Sequence, residues 1–168
     1  YSLYSETRIP TDEMLKDLNC IIIDLQDVGT RVYTYISTMT LLMEKCSKLG
    51  IEVIVLDRPN PVGGEMIEGT ILRPNLKSFV GRHPIPQRHS LTMGEMAMYA
   101  KKYHGADCPL SVIEMKNWNR SMYFQETGLP WANPSPNLST PESAHTFVGT
   151  VLFEGTNVSE ARGTTRAL

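Results

Sequence analysis

The sequence is poor in cysteine. Cys20, Cys46 and Cys108 are the only three in 168 residues, too few and too scattered for a disulfide framework or a zinc site. Cys20 and Cys46 fall on faces that read as buried, so both are expected to be inert core thiols. Positive charge is not in excess either. Sixteen Lys and Arg stand against eighteen Asp and Glu, for a net charge of −2, which removes the electrostatic footprint of a nucleic-acid binder and of a polybasic membrane anchor. No apolar run approaches the roughly 18–20 residues of a membrane span. Gly-x-Gly-x-x-Gly, the phosphate-binding Gly-x-x-x-x-Gly-Lys-Ser/Thr, the Gly-x-Ser-x-Gly elbow and His-Glu-x-x-His are all missing, so nucleotide binding, serine-hydrolase chemistry and zinc-protease chemistry have no positive support. Internal repeats and low-complexity tracts are lacking too. What remains is a globular composition, 41% hydrophobic and 20% charged, in a chain long enough to bury a real core without staples. It opens at Tyr1 rather than a methionine and stops in a polar Gly/Thr/Arg run, as expected of a segment of a longer protein.

The pattern along the chain is that of an α/β fold. Thr11 followed by Asp12 and Glu13 marks a helix start. Cys20–Leu25, with Ile21, Ile22 and Ile23 at its centre, is read as a strand buried on both faces of a parallel sheet. From Val32 to Leu49 the residues Ile36, Met39, Met43, Cys46 and Leu49 recur every three to four positions, giving one apolar helical stripe with Gly50 as its stop. Ile51–Leu56 is a second buried strand, completing a βαβ unit. Residues 57 to 90 are Pro- and Gly-rich and read as a long functional loop. Thr92 and Glu95 form a capping box for a helix reaching His104. Leu110–Met115 is a third strand, Asn117–Thr127 a candidate helix, Trp131–Asn137 a loop, and Thr140-Pro141-Glu142 another helix start. Thr150–Phe153 reads as a last strand. The expected organisation is a Rossmann-like α/β domain over residues 1–150, and the start of a smaller second domain or cleft segment over 151–168.

Ligands of open parallel sheets bind beyond the carboxyl ends of the strands. Asp24 and Asp27 follow the first strand, and Asp57, Arg58 and Asn60 follow the second. Neighbouring strands would bring three carboxylates and a guanidinium to one rim, suited to holding sugar hydroxyls or a water. The plainer alternative is that these acids end strands and cap helices. Glu154 to Arg166 is the most donor-rich segment. Its Glu154, Glu160, Arg162 and Thr165 suit recognition of a polyol or an acid, or else form a solvated loop. Glu6 is a weaker candidate, as are Glu68 and Glu95. His83 and His89 lack partners at metal-ligand spacing. Tyr33 and Tyr35 can stack on a sugar face or pack in the core, and the same choice holds for Trp118 and Trp131.

Several strings closely resemble the bacterial exo-β-N-acetylmuramidase family of the NamZ/YbbC type. They are Asp24-Leu25-Gln26-Asp27-Val28-Gly29-Thr30-Arg31-Val32-Tyr33-Thr34-Tyr35; Val55-Leu56-Asp57-Arg58-Pro59-Asn60-Pro61; Phe79-Val80-Gly81 with Pro84-Ile85-Pro86; Leu91-Thr92-Met93-Gly94-Glu95; Pro134-Ser135-Pro136-Asn137; and Glu154-Gly155-Thr156-Asn157 through Arg162-Gly163-Thr164-Thr165-Arg166. They occur in family order over nearly the whole chain. The resemblance implies an exported glycosidase that releases terminal N-acetylmuramic acid from the non-reducing end of peptidoglycan fragments, with no metal and no organic cofactor. It also implies a Rossmann-like domain, a smaller second domain and an active site in the cleft between them, this chain being a middle portion. A Ser-Pro-Glu-His-Gly-like motif upstream is expected to add a key glutamate.

Glycoside hydrolysis ordinarily uses a protonated carboxyl and a second group as base or nucleophile. Under that resemblance the catalytic candidates are Asp24, Asp27, Asp57, Glu154 and Glu160. The substrate-binding candidates are Glu6, Tyr33, Arg58, Asn60, Arg162 and Thr165, with Arg58 and Arg162 as clamps for the lactyl carboxylate of muramic acid. The chain departs from the family pattern at Ser5 and Ser90, where glycine is expected, at Ala161 within the usual Ser-Glu-Gly-Arg-Gly run, and at Ala167 in place of proline. A missing glycine matters where the backbone needs a positive φ.

Overall fold

A computed structural model describes residues 1–4 and 7–159. Helix α1 (Asp12–Leu15) begins where Thr11 accepts a hydrogen bond from the Met14 amide at 3.3 Å. Strand β1 (Cys20–Ile23), helix α2 (Tyr35–Leu49) and strand β2 (Glu52–Leu56) follow, then the long loop, helix α3 (Met93–Tyr103), strand β3 (Leu110–Ile113) and helix α4 (Pro141–Thr150). The three strands pair in the order β1-β2-β3, all parallel, with Ile23 opposite Val55 and Val55 opposite Val112. This is an α/β fold.

The apolar stripe of α2 does what its spacing dictates. Ile36, Met39, Met43 and Cys46 are fully buried against Ile23, Val53 and Val55 of the sheet and against Met93, Met96, Ala97 and Ala100 of α3. Gly50 closes α2 with φ 69°, the left-handed conformation that spares glycine the penalty other residues bear. Helix α3 carries the full capping box. Glu95 N donates to Thr92 Oγ1 at 3.2 Å, and Thr92 N donates to Glu95 Oε2 at 3.0 Å. Thr140 caps α4 with Pro141 at its first turn.

Three expectations are corrected. β1 is not buried on both faces, because α2 and α3 pack together on one side of the sheet. Side chains alternate along a strand, so Ile21 and Ile23 turn to the core while Cys20 and Ile22 turn outward, with Ile22 61% exposed and the Cys20 thiol at the surface. Asn117–Thr127 is not an α-helix; only Phe124–Thr127 forms a 3-10 turn. Asn117 has φ 61°, and Asn119 Oδ1 accepts from the Ser121 amide at 3.1 Å, a side-chain turn that competes with helix. Thr150–Phe153 is not a strand. Thr150 and Val151 keep right-handed helical dihedrals, and the chain runs from α4 into a 3-10 helix, Val151–Gly155.

The loop from 57 to 92 is irregular but tightly held. Arg88 and Glu68 exchange backbone hydrogen bonds and form an ion pair of 2.7 Å. Asn60, 1% exposed, donates from Nδ2 to the Leu91 carbonyl at 3.0 Å and accepts at Oδ1 from the Val62 amide at 3.1 Å. Ser90, standing where the family pattern has glycine, does sit at positive φ, 55°.

Candidate functional site

The parallel pairing of β1 and β2 brings their carboxyl ends side by side, and the acids there divide by role. Arg58 Nε donates to Asp24 Oδ1 at 2.5 Å. That hydrogen bond holds the Asp24 carboxyl below its ordinary range against a smaller opposing effect of burial, and it raises the Arg58 guanidinium in turn. Asp24 is therefore ionised, suited to accepting from a hydroxyl or a water and unsuited to donating a proton. Both side chains are partly exposed, and the two terminal nitrogens of Arg58 make no hydrogen bond among the described residues.

Asp57 is committed to α3. Oδ1 accepts from the Gly94 amide at 2.8 Å and from the Arg58 amide at 3.0 Å, while Oδ2 accepts from Thr92 Oγ1 at 2.9 Å. The carboxylate thus meets the positive end of the helix. Gly94 makes room for it, since a Cβ there would lie 2.6 Å from Val112 Cγ1 and 3.0 Å from Asp57 Cγ. Asp27 is 4% exposed, and its Oδ2 accepts from the Gly29 amide at 2.8 Å. His89 Nε2 lies 3.3 Å from the same oxygen, in ion-pair reach but not aligned as a hydrogen bond. His89 Nδ1 accepts from the Leu91 amide at 3.2 Å, which leaves the ring proton on Nε2, facing Asp27. Asn60, as described, ties loop to loop.

A cleft of about 690 Å³ lies elsewhere in the described residues, and Asp24, Asp27, Asp57 and Arg58 are not among the residues that line it. One wall is the β1–α2 connection, with Arg31, Tyr33, Thr34 and Tyr35, joined by Gln87; the other is Pro134–Leu138, Thr146 and Phe147 of α4, and Glu154. Tyr33 and Tyr35 both donate to the Pro134 carbonyl, at 2.6 and 2.9 Å, with their rings edge to face at 4.9 Å. Burial, and then the neighbouring Tyr35, push the Tyr33 phenol far above its ordinary value, so it stays protonated. Arg31 donates to the Thr70 and Ile85 carbonyls at 2.7 and 2.6 Å. Its Nε and Gln87 Nε2 are buried donors without an acceptor among the described residues. A wall with aromatic faces, an aliphatic rim and unmet N–H donors suits a small polyhydroxylated ligand.

Of the residues singled out in the sequence, Tyr33 and Glu154 line the cleft, and Asp24 and Arg58 pair at the strand ends. Asp57 and Asn60 are satisfied within the fold around them, while Asp27 is held through Oδ2 alone and its buried Oδ1 has no hydrogen-bond partner among the described residues. Glu6, Glu160, Arg162 and Thr165 lie outside the described residues, as do Ser5, Ala161 and Ala167. Trp131 does not line the cleft; its Nε1 donates to the Leu138 carbonyl at 3.0 Å and its ring packs on Phe124. Sequence reasoning missed Arg31, Gln87 and Phe147. Gln87 carries no periodic signal, and it reaches the cleft because residue 88 bridges to Thr30 across a gap of 58 residues. The described residues contain no group of three or more His, Cys, Asp or Glu able to hold a metal ion.

Comparison with known proteins places these residues among homologues. The family described as "Exo-beta-N-acetylmuramidase NamZ, N-terminal" matches residues 1–142. A protein of Bacillus subtilis (strain 168) named "Peptidoglycan beta-N-acetylmuramidase NamZ" is 52% identical over 166 residues, covering 99% of this chain and 40% of the relative. Two crystal structures of DUF1343 family proteins from Bacteroides fragilis NCTC 9343 superpose closely. The first has a TM-score of 0.90 at 43% identity, covering 98% of this chain and 44% of that one. The second has a TM-score of 0.85 at 38% identity, covering 93% and 44%. The chain thus spans about two-fifths of the length of the relatives it matches.

Proposed function

From the premise that this chain belongs to the family of NamZ exo-β-N-acetylmuramidase N-terminal regions, we propose that its parent protein is a glycoside hydrolase that removes N-acetylmuramic acid from the non-reducing end of peptidoglycan fragments. Likeness along nearly the whole chain to a relative named for that activity carries the reading. The cleft lined by Tyr33, Tyr35 and Glu154 supports it. An exported location is part of the same proposal, on the family resemblance. In this reading residues 1–150 form the Rossmann-like domain, and 151–168 lead into the second domain or the cleft between the two.

The chemistry assigns roles by environment. Asp24, held ionised by Arg58, serves as a base or holds a hydroxyl. Glu154 is the one candidate carboxylate on the cleft wall among the described residues, and it is the proton donor if this chain supplies one. Tyr33 and Tyr35 give the sugar a face to stack on. The open end of the Arg58 guanidinium matches a carboxylate in bidentate fashion, and muramic acid carries such a group on its lactyl arm. Glu6, Glu160, Arg162 and Thr165 remain proposed contributors from outside the described residues.

The test uses the full-length protein with a chromogenic N-acetylmuramide and its N-acetylglucosaminide counterpart. The muramide is hydrolysed, and Arg58→Lys raises KM for it about tenfold or more while leaving the glucosaminide little changed, because Lys cannot form the two-pronged contact. Equal losses on both substrates would remove Arg58 from carboxylate recognition, and no hydrolysis of either would remove the muramidase reading.

A further inference from the structure

Asp27 and His89 form a buried pair that packing alone does not explain. Both side chains are shut from solvent, and His89 Nε2 lies 3.3 Å from Asp27 Oδ2. His89 Nδ1 accepts from the Leu91 amide, so the ring proton sits on Nε2, toward the carboxyl. The contact is nevertheless not aligned as a hydrogen bond. His89 Nε2 and Asp27 Oδ1 are both buried without a hydrogen-bond partner among the described residues. Polar atoms in that condition cost stability, and an apolar pair of the same volume would fill the space without the penalty. The use of such a pair is to fix orientation rather than to add stability.

What it fixes is readable from the backbone. Gln26 Nε2 donates to the Asp27 and Pro59 carbonyls, at 2.8 and 2.9 Å, which ties the main chain of Asp27 to the loop after β2. Asp27 Oδ2 then takes the Gly29 amide. From Gly29 the chain runs antiparallel to residues 87–89. The His89 amide donates to the Gly29 carbonyl at 3.3 Å, the Arg31 amide donates to the Gln87 carbonyl at 2.8 Å, and Thr30 bridges Arg88. The Asp27–His89 contact joins the two segments at one end of this short ribbon. At the other end Arg31 and Gln87 stand on the cleft wall, followed by Tyr33 and Tyr35. The Tyr33 amide donates back to the Thr30 carbonyl at 2.9 Å, so the wall turns as the ribbon turns. The charge of Asp27 is also felt there: after burial and Tyr35, it is a further cause that raises the Tyr33 phenol.

Taking the substrate from the muramidase reading, on which this rests, we propose that Asp27 and His89 are positioning residues. The Nε2–H of His89 against the Asp27 carboxyl sets how residues 29–31 lie on residues 87–89, and so how Arg31, Tyr33 and Gln87 are presented to a bound sugar. Neither Asp27 nor His89 lines the cleft, so both act through the wall and not on the sugar.

Two substitutions separate the roles of the ring nitrogens. His89→Asn keeps an acceptor near the place of Nδ1, for the Leu91 amide, and removes the donor toward Asp27. His89→Gln puts an amide N–H near the place of Nε2 and gives up the Leu91 bond. The kinetics of the full-length protein on a chromogenic N-acetylmuramide are measured well below each variant's melting point. His89→Asn should raise KM about tenfold, the weight of one lost hydrogen bond, with kcat within about threefold, and His89→Gln should bring KM back to within about threefold of wild type. A pair that only props up the fold lowers the melting temperature and leaves KM alone. That result overturns the proposal, as does an equal rise in KM for both variants or a His89→Asn protein that does not fold. Hydrogen–deuterium exchange on the same proteins reads the wall without calling on activity. His89→Asn should speed exchange at the Arg31 and His89 amides and across residues 31–35, with α3 unchanged, and His89→Gln should not. If the wild type hydrolyses no muramide, the muramidase reading falls while this exchange pattern still supports the positioning role. A uniform change, or none, overturns it.

Discussion

Asp57 stands at the carboxyl end of β2, where a catalytic carboxylate is expected, yet its bonds belong to α3. Replacing it by Asn decides between the two. The side chain keeps its shape, so Oδ1 continues to accept from the Gly94 and Arg58 amides, now as a neutral group. The new amide nitrogen faces Thr92 Oγ1, which previously donated to Asp57 and already accepts from the Glu95 amide, so the hydroxyl must turn to accept a second bond and leave its own proton unmet. The loss combines charge assistance in a hydrogen bond, about 1.5–3 kcal/mol, with part of the helix-end attraction, about 0.3–1 kcal/mol. Because the residue is only half-buried, a total near 1.5–3 kcal/mol is expected for Asp57→Asn. Asp57→Ala, which strands the Gly94 amide and the Thr92 hydroxyl together, should cost about 3–4 kcal/mol. At about 2–4 °C per kcal/mol for a domain of this size, the Asn variant should melt roughly 3–12 °C lower in differential scanning fluorimetry. Measured well below that melting point, its turnover on a chromogenic muramide should stay within about tenfold of wild type, since a positioned acid or base contributes about 10²–10⁴. The opposite pattern, an unchanged melting temperature with turnover lost by a thousandfold, would refute the structural role and put Asp57 among the reacting groups.

Two further outcomes are expected. Burial, and then His104 and Arg82, push the His83 imidazole down to about 3, so between pH 6.5 and 3 the unfolded chain binds a proton that the native one refuses. Stability should therefore fall as pH falls through that window, by about 1.4 kcal/mol per pH unit from this residue; His83→Gln, followed by urea titration at several pH values, should flatten the slope, and an unaltered slope would exclude His83 as its source. Tyr33 and Tyr35 share the Pro134 carbonyl, so Tyr33→Phe should cost only about 1 kcal/mol and the double Phe variant more than the sum of the singles, whereas strict additivity in a double-mutant cycle would show that the two hydroxyls do not hold one acceptor.

Local signals in this chain were legible wherever a residue's neighbours in sequence are its neighbours in space. The Thr11, Thr92 and Thr140 caps, the Gly50 stop and the α2 stripe satisfy themselves within a turn or two. The errors have a common cause. Cys20 and Ile22 read as buried because an apolar β run does not say which face has a partner, and here both helices of the core chose the same one. Val151 and Phe153 are good strand formers, but the helical momentum of α4 prevails over their preference. The candidate site was legible in part. Of its candidates, Tyr33 and Glu154 stand on the cleft wall and Asp24 pairs with Arg58 at the strand ends. Asp27 and Asp57 look identical to them in sequence, and only long-range contacts, with His89 and with Thr92 and Gly94, show them to be held by the fold. Gly29 carries the same lesson. Its φ of 75° and an absent Cβ that would sit 2.4 Å from Asn60 Oδ1 and Val62 Cγ2 join two of the family strings by contact rather than by spacing.

The outward-turned side of the sheet bears on how this protein can be handled. Ile22 and Ile113, more than half bare on neighbouring regions of an untended parallel layer, form an oily plate of the kind that glues copies together. Produced alone, the segment is expected to gather in inclusion bodies and to scatter light more as it is concentrated, and glutamate at position 22 or 113 should keep it in solution without disturbing the side of the sheet that carries the core.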